Sequence, residues 1–198
     1  MIRIEILTVF LTMPLTVAVM QFMTNPQKDL CTLGIFLYFV INSIRFFQGD
    51  VNLYADLSIS QKDDLAASHN AVSFFIGVAS KFCFLLAAYC IADSVAFFAY
   101  NGLCYLFDLF WLTILNRTVD PTKPRGGHLL GLFKSWLILD GIEAIISFAM
   151  SIVIYKLSYD PKPKEYLEIG TLGVLGLLLA IDYLFNARHY FQKRNAQQ

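Results

Sequence analysis

Residues 169–181 read IGTLGVLGLLLAI, and DYLFNARHYFQ follows at 182–192. The first run has no charged side chain. With its flanks it approaches the roughly 20 residues a helix needs to cross a bilayer core. Asp182 then stands where lipid is the expected solvent. On insertion scales a charge at a helix centre costs about 2.5–3.5 kcal/mol, so it calls for a partner, a wet cavity or a proton. The stretch therefore sets the class of the protein and poses a question about its interior.

The rest of the chain agrees with a membrane class. Of 198 residues, 57% are hydrophobic and 15% charged, and the mean hydropathy is +0.58. A soluble domain is about 45–50% apolar and about 25% charged. The excess falls in runs that predict six spans: 5–23, 30–48, 70–91, 94–116, 132–156 and 166–188. The expected fold is an all-α polytopic bundle, a single domain over 1–198. Lys134, Asp140 and Glu143 thin the fifth run, so four or five spans is the alternative. The first run exceeds a signal peptide's apolar core and lacks a small-x-small cleavage site. It is expected to remain, with Pro14 accommodated by neighbouring helices.

Cationic side chains orient the spans. With the N-terminus inside, the inner segments hold Arg3, Lys62, Arg117, Lys123, Arg125, Arg188, Lys193 and Arg194. The outer ones hold Lys28, Lys156, Lys162 and Lys164. That excess satisfies the positive-inside rule and predicts both termini in the cytoplasm. The spans form three αα-hairpins, with cytoplasmic connections at 49–69 and 117–131. The net charge is zero, and no basic face suggests direct nucleic-acid binding.

Residues 38–48, YFVINSIRFFQ, echo 182–192: Asn42, Phe47 and Gln48 recur as Asn186, Phe191 and Gln192. Both segments close the second helix of a hairpin on the same side. Aromatic and cationic residues are expected at any such helix end, which explains the echo without a duplication.

Arg45, Lys81, Asp108, Asp140, Glu143 and Asp182 fall within or at the edge of spans, and Asn186 lies one turn beyond Asp182. Arg45 is expected at the inner edge. Asp140 and Glu143, three apart, share a helix face. Four acids against two bases cannot pair one to one. They line a polar inner vestibule for cations, protons or a ligand, or they form salt bridges that lock the bundle.

Other chemistry is sparse. Cys31, Cys83, Cys90 and Cys104 show no C-x-x-C pair. His69, His128 and His189 lie one per inner segment without H-x-x-x-H spacing. No nucleotide-binding, serine-hydrolase or zinc-protease motif occurs. The sequence predicts no enzyme, no cofactor and no metal. Gly170, Gly173, Gly176 and Ala180 give the sixth span a small-residue face of the kind along which membrane helices associate. Packing within the chain is its default use. The connection 49–69 offers Asp50, Tyr54, Asp56, Asp63 and Asp64 as a docking surface for a cytosolic protein, and Ser60 with Asp63 suggests a helix cap.

RFFQGD at 45–50, the D-x-x-x-N of DYLFN at 182–186 and HYFQ at 189–192 resemble the small membrane subunits of bacterial antiviral defence systems. The transmembrane component of the Kiwa system is the first choice among them. That resemblance implies an inner-membrane protein that oligomerises, senses infection at the envelope and acts with a cytosolic partner that handles nucleic acid. Two functions are expected. One is a non-enzymatic sensor or scaffold, a homo-oligomer with a tetramer preferred, that recruits a cytosolic effector. The alternative is an ion- or proton-conducting channel or transporter built around the buried carboxylates.

Overall fold

The computed structural model describes residues 2–26, 29–60, 66–157 and 161–191. Among the described residues seven helices follow in order: α1 (Ile2–Thr24), α2 (Leu30–Ser60), α3 (Ala66–Tyr89), α4 (Ser94–Thr118), α5 (Gly126–Lys156), α6 (Pro161–Phe185) and α7 (Ala187–Phe191). No β-strand occurs among the described residues. Among the described residues four helices are long and apolar enough to cross a membrane: α2, α4, α5 and Pro163–Phe185 of α6, with a shorter apolar stretch, Phe74–Tyr89, in α3. Each of the six predicted runs falls on one of the first six helices.

Helix starts are set by aspartates. Asp29 accepts the Thr32 N–H at 2.7 Å, and Asp93 accepts the Ala96 N–H at 3.2 Å. Both satisfy donors that a helix N-terminus leaves open, and this allows short turns before α2 and α4. The helices then close into a ring in the order α1–α2–α6–α5–α4–α3, each packed on the next. Every predicted hairpin pair is adjacent in it.

Two boundaries depart from the sequence expectation. The segment 49–60 is helix, so the connection placed at 49–69 shrinks, and the one placed at 117–131 reduces to 119–125. Asp50 and Asp56 look like solvent residues, but both are buried and ion-paired. Their charges therefore do not end the helix. Ser60 sits at the end of α2: its hydroxyl donates to Asp56 O at 2.8 Å, and its carbonyl accepts the Asp120 N–H at 2.9 Å. The cap drawn from it to Asp63 falls partly outside the described residues. The short return into α5 places Arg125 at φ 65°, and a Cβ on Gly126 would stand 1.9 Å from Asp120 O. Only glycine fits that position.

The longer α2 also moves Arg45. At about 1.5 Å per residue it lies midway along the helix, not at the edge. Asp108, Asp140 and Glu143 lie near the middle of α4 and α5. These residues divide the interior. One apolar cluster, rich in phenylalanine, packs Phe39, Phe84, Phe97 and Phe98 on one side. A second, around Trp111, Phe133, Trp136 and Tyr190, packs on the other.

On α6 the buried positions include Glu168, Thr171, Leu175, Leu179 and Asp182, at helical spacing. Gly170, Gly173 and Ala180 are exposed, and nothing lies within 4 Å of a Cβ added at Gly170, Gly173 or Gly176. The expectation that this small-residue face packs inside the chain is overturned, because the opposite face of the helix meets the core.

Candidate functional site

Arg45 is the centre of the polar belt. Its Nε donates to Asp182 Oδ2 at 2.5 Å and its Nη2 to Asp140 Oδ1 at 2.8 Å, while Nη1 lies 3.5 Å from Glu143 Oε2. One planar guanidinium with five donors thus serves three carboxylates from two helices. One cation is shared among three acids, and the excess of acid seen in the sequence persists in the structure. Neutral donors assist: Asn186 Nδ2 donates to Asp182 Oδ1 at 2.5 Å, and the Tyr190 hydroxyl to Asp182 Oδ2 at 2.5 Å. Burial holds the Tyr190 hydroxyl above its ordinary titration range, which keeps it a donor. Trp136 Nε1 in turn donates to the Tyr190 oxygen at 3.1 Å.

The local fold explains this convergence. Helix α6 stops at Phe185, and Asn186 forms the corner before α7. There the Asn186 amide also donates to Ser135 Oγ on α5 at 3.2 Å. The corner turns Tyr190 back over Asp182.

Lys81 forms a second centre. Its Nζ lies 2.8 Å from Asp50 Oδ2, and Ser80 Oγ donates to Asp108 Oδ1 at 2.7 Å. Phe46 stands between the two cations, with Lys81 Nζ 4.6 Å and Arg45 Cζ 5.2 Å from its ring centroid. That spacing permits cation–π attraction to one ring. A cavity of about 20 Å³ touches Arg45, Asp50, Asp108 and Asp140. It has room for about one water molecule, a joint between the two centres rather than a vestibule. Beyond it a neutral ladder continues: Tyr38 and Tyr105 share a hydroxyl contact of 2.8 Å, Asn42 donates to Tyr105 at 2.9 Å, and Asn101 donates to Ser147 at 3.0 Å.

All seven predicted cluster residues thus join one belt. Arg45, Asp140, Glu143, Asp182 and Asn186 meet directly; Lys81 and Asp108 adjoin them through Phe46 and the cavity. Sequence reasoning did not single out Tyr38, Tyr105, Trp136 or Tyr190, and read the aromatics of 38–48 and 182–192 as interfacial. A usable signal was present: Tyr38, Asn42 and Arg45; Asn101, Tyr105 and Asp108; Asp140, Glu143 and Ser147 each repeat at spacings of three and four, marking one polar helix face.

The docking residues fare differently. Asp50 is buried against Lys81, and Asp56 against Arg125, whose Nη1 lies 2.7 Å from Asp56 Oδ1. Tyr54 is half-buried beside Trp111. None of the three offers an exposed acidic surface, because the helix carries them inward. Asp63 and Asp64 lie outside the described residues. At that end the exposed charges among the described residues include Arg117, Arg125, Lys134 and Arg188, which form a basic rim. The chain matches no protein-family model, no curated protein and no solved structure.

Proposed function

We propose that this chain is a non-enzymatic scaffold or sensor of the bacterial inner membrane. It assembles as a homo-oligomer, with a tetramer preferred, and recruits a cytosolic effector. The observation that carries this reading is the engagement of Arg45 by three carboxylates drawn from α5 and α6, two through hydrogen bonds and Glu143 at ion-pair distance. The belt spends its charge on holding helices together, which suits a rigid platform. The open small-residue face of α6 supplies a surface for association between copies. In this proposal α1 and α3 also span, giving six crossings with both termini cytoplasmic. The basic rim then faces the cytosol and meets the effector. The resemblance in RFFQGD and HYFQ supports antiviral defence as the setting and the Kiwa membrane component as the nearest type.

One observation favours the second reading. Asp50, Asp108, Asp140, Glu143 and Asp182 are all buried, against two buried cations, Arg45 and Lys81. That excess of acid is what a proton-handling path contains. Mass measurement of the complex in mild detergent, with proton and cation flux in vesicles, separates the readings. The scaffold predicts a stable oligomer without specific flux. A monomer overturns it, and flux abolished in a stably folded Asp182→Asn protein replaces it with the channel.

A further inference from the structure

Away from the belt, α7 brings His189 beside Asp56 of α2 and His128 in the first turn of α5. One ligand atom from each lies within 4.8 Å of the others, and His189 Nδ1 is 3.9 Å from Asp56 Oδ2. We infer that these three side chains form a site for a divalent transition metal, zinc by preference, which pins α7 to α2 and α5.

Three features support the assignment. First, His189 Nε2 lies 3.3 Å from Gly49 O. A carbonyl only accepts, so Nε2 carries the proton in the neutral ring and Nδ1 presents a lone pair toward the Asp56 carboxylate. A positive charge between ring and carboxylate suits this geometry, a bound metal ion in the neutral ring or a second proton on Nδ1, and a ligating histidine commonly gives its other N–H to such a carbonyl. Second, the remaining carboxylate oxygen of Asp56 is held by Arg125 at 2.7 Å. The same outer contact orients carboxylate ligands in metal centres. Third, the site has an entrance: a surface cleft is lined by Arg125, His128, Ala187, Arg188 and Phe191.

Two imidazoles and one carboxylate form a donor set suited to zinc, with a fourth position open to water or an anion. Zinc bonds of about 2.0–2.2 Å require the donors to close by about 1 Å. His128 is exposed, and its side chain can swing to supply that closure. Arg125 and Arg188 beside the cleft favour an anionic fourth ligand.

The test uses untagged full-length protein in detergent, stripped with a chelator and titrated with zinc alone. One zinc per chain should bind, with a melting temperature that rises with zinc concentration. Because His128 is exposed, His128→Ala should keep the metal-free melting temperature and lose affinity by about 10-fold or more. His189→Gln and Asp56→Asn should lose it too. Cobalt substituted for zinc should show the visible absorption of a nitrogen- and oxygen-ligated tetrahedral ion, absent in His128→Ala. Unchanged zinc affinity in a folded His128→Ala protein overturns the site, as does the lack of stoichiometric binding by wild type. These outcomes are independent of whether the chain is a scaffold or a channel.

Discussion

The ion pairs at Arg45 and at Arg125 use the same chemistry in different solvents. Arg45 has a side chain 4% exposed and three carboxylates around it; Arg125, at the end of the bundle, is 37% exposed and holds one. Lys81, 12% exposed, falls between them. Burial decides what each cation is for. Removing one partner of a buried pair leaves an uncompensated charge and costs about 3–5 kcal/mol, whereas a pair open to water contributes about 0.2–1 kcal/mol. The same residue type can therefore latch a fold in one place and trim a surface in another.

Three substitutions put that gradient to the test, from the largest effect down. Arg45→Met keeps much of the volume but strands Asp140, Glu143 and Asp182. Thermal unfolding in detergent should show a loss of about 3–5 kcal/mol, or no folded protein at all. Lys81→Met removes one charged hydrogen-bond partner from Asp50, for a loss of about 1.5–3 kcal/mol. Arg125→Gln leaves Asp56, itself 6% exposed, with a neutral donor in place of a partly exposed cation, so the loss should be smaller again, about 0.5–1.5 kcal/mol. A cost at Arg125 equal to that at Arg45 would break the comparison.

The smallest stability change is expected outside the ring. Gly173→Leu enters open space, so thermal stability should move by no more than about 0.5 kcal/mol. The mass of the detergent complex should nevertheless fall toward the monomer. If the assembly stays intact, the α6 face meets lipid only, and oligomers must form elsewhere.

Much of this architecture was legible beforehand. The six apolar runs located six helices because lipid-length hydrophobicity is a strong signal. The helix ends were not legible, and the reason is the same charge gradient. Asp50 and Asp56 at the end of α2 read as loop residues, since an aspartate usually marks solvent. Their partners, Lys81 on α3 and Arg125 just before α5, are distant in sequence and do not show locally. The members of the belt could be named from their unlikely position in apolar runs. Their sharing of one guanidinium could not, because it depends on the corner at Asn186.

The echo between 38–48 and 182–192 has a spatial counterpart, since Arg45 of one segment bonds Asp182 of the other. The repeated asparagines do different work. Asn42 donates to Tyr105, and Asn186 donates to Asp182 and Ser135. The expected common position at two helix ends is also lost, because 38–48 lies in the middle of α2 while 182–192 closes α6 and forms α7. The histidines carried no spacing signal either, because α7 joins His189 to His128 and Asp56 only after the chain turns at Asn186.

The central claim is that Arg45 and Asp182 act as one latch, and a double-mutant cycle measures it directly. Unfolding free energies of wild type, Arg45→Met, Asp182→Asn and the double variant, in one detergent, give the coupling between the two sites. The latch predicts that the double variant recovers about 1–3 kcal/mol relative to the summed single losses, as groups in one network do. Additivity within about 0.5 kcal/mol would mean that the two side chains hold the bundle independently, and would contradict the account.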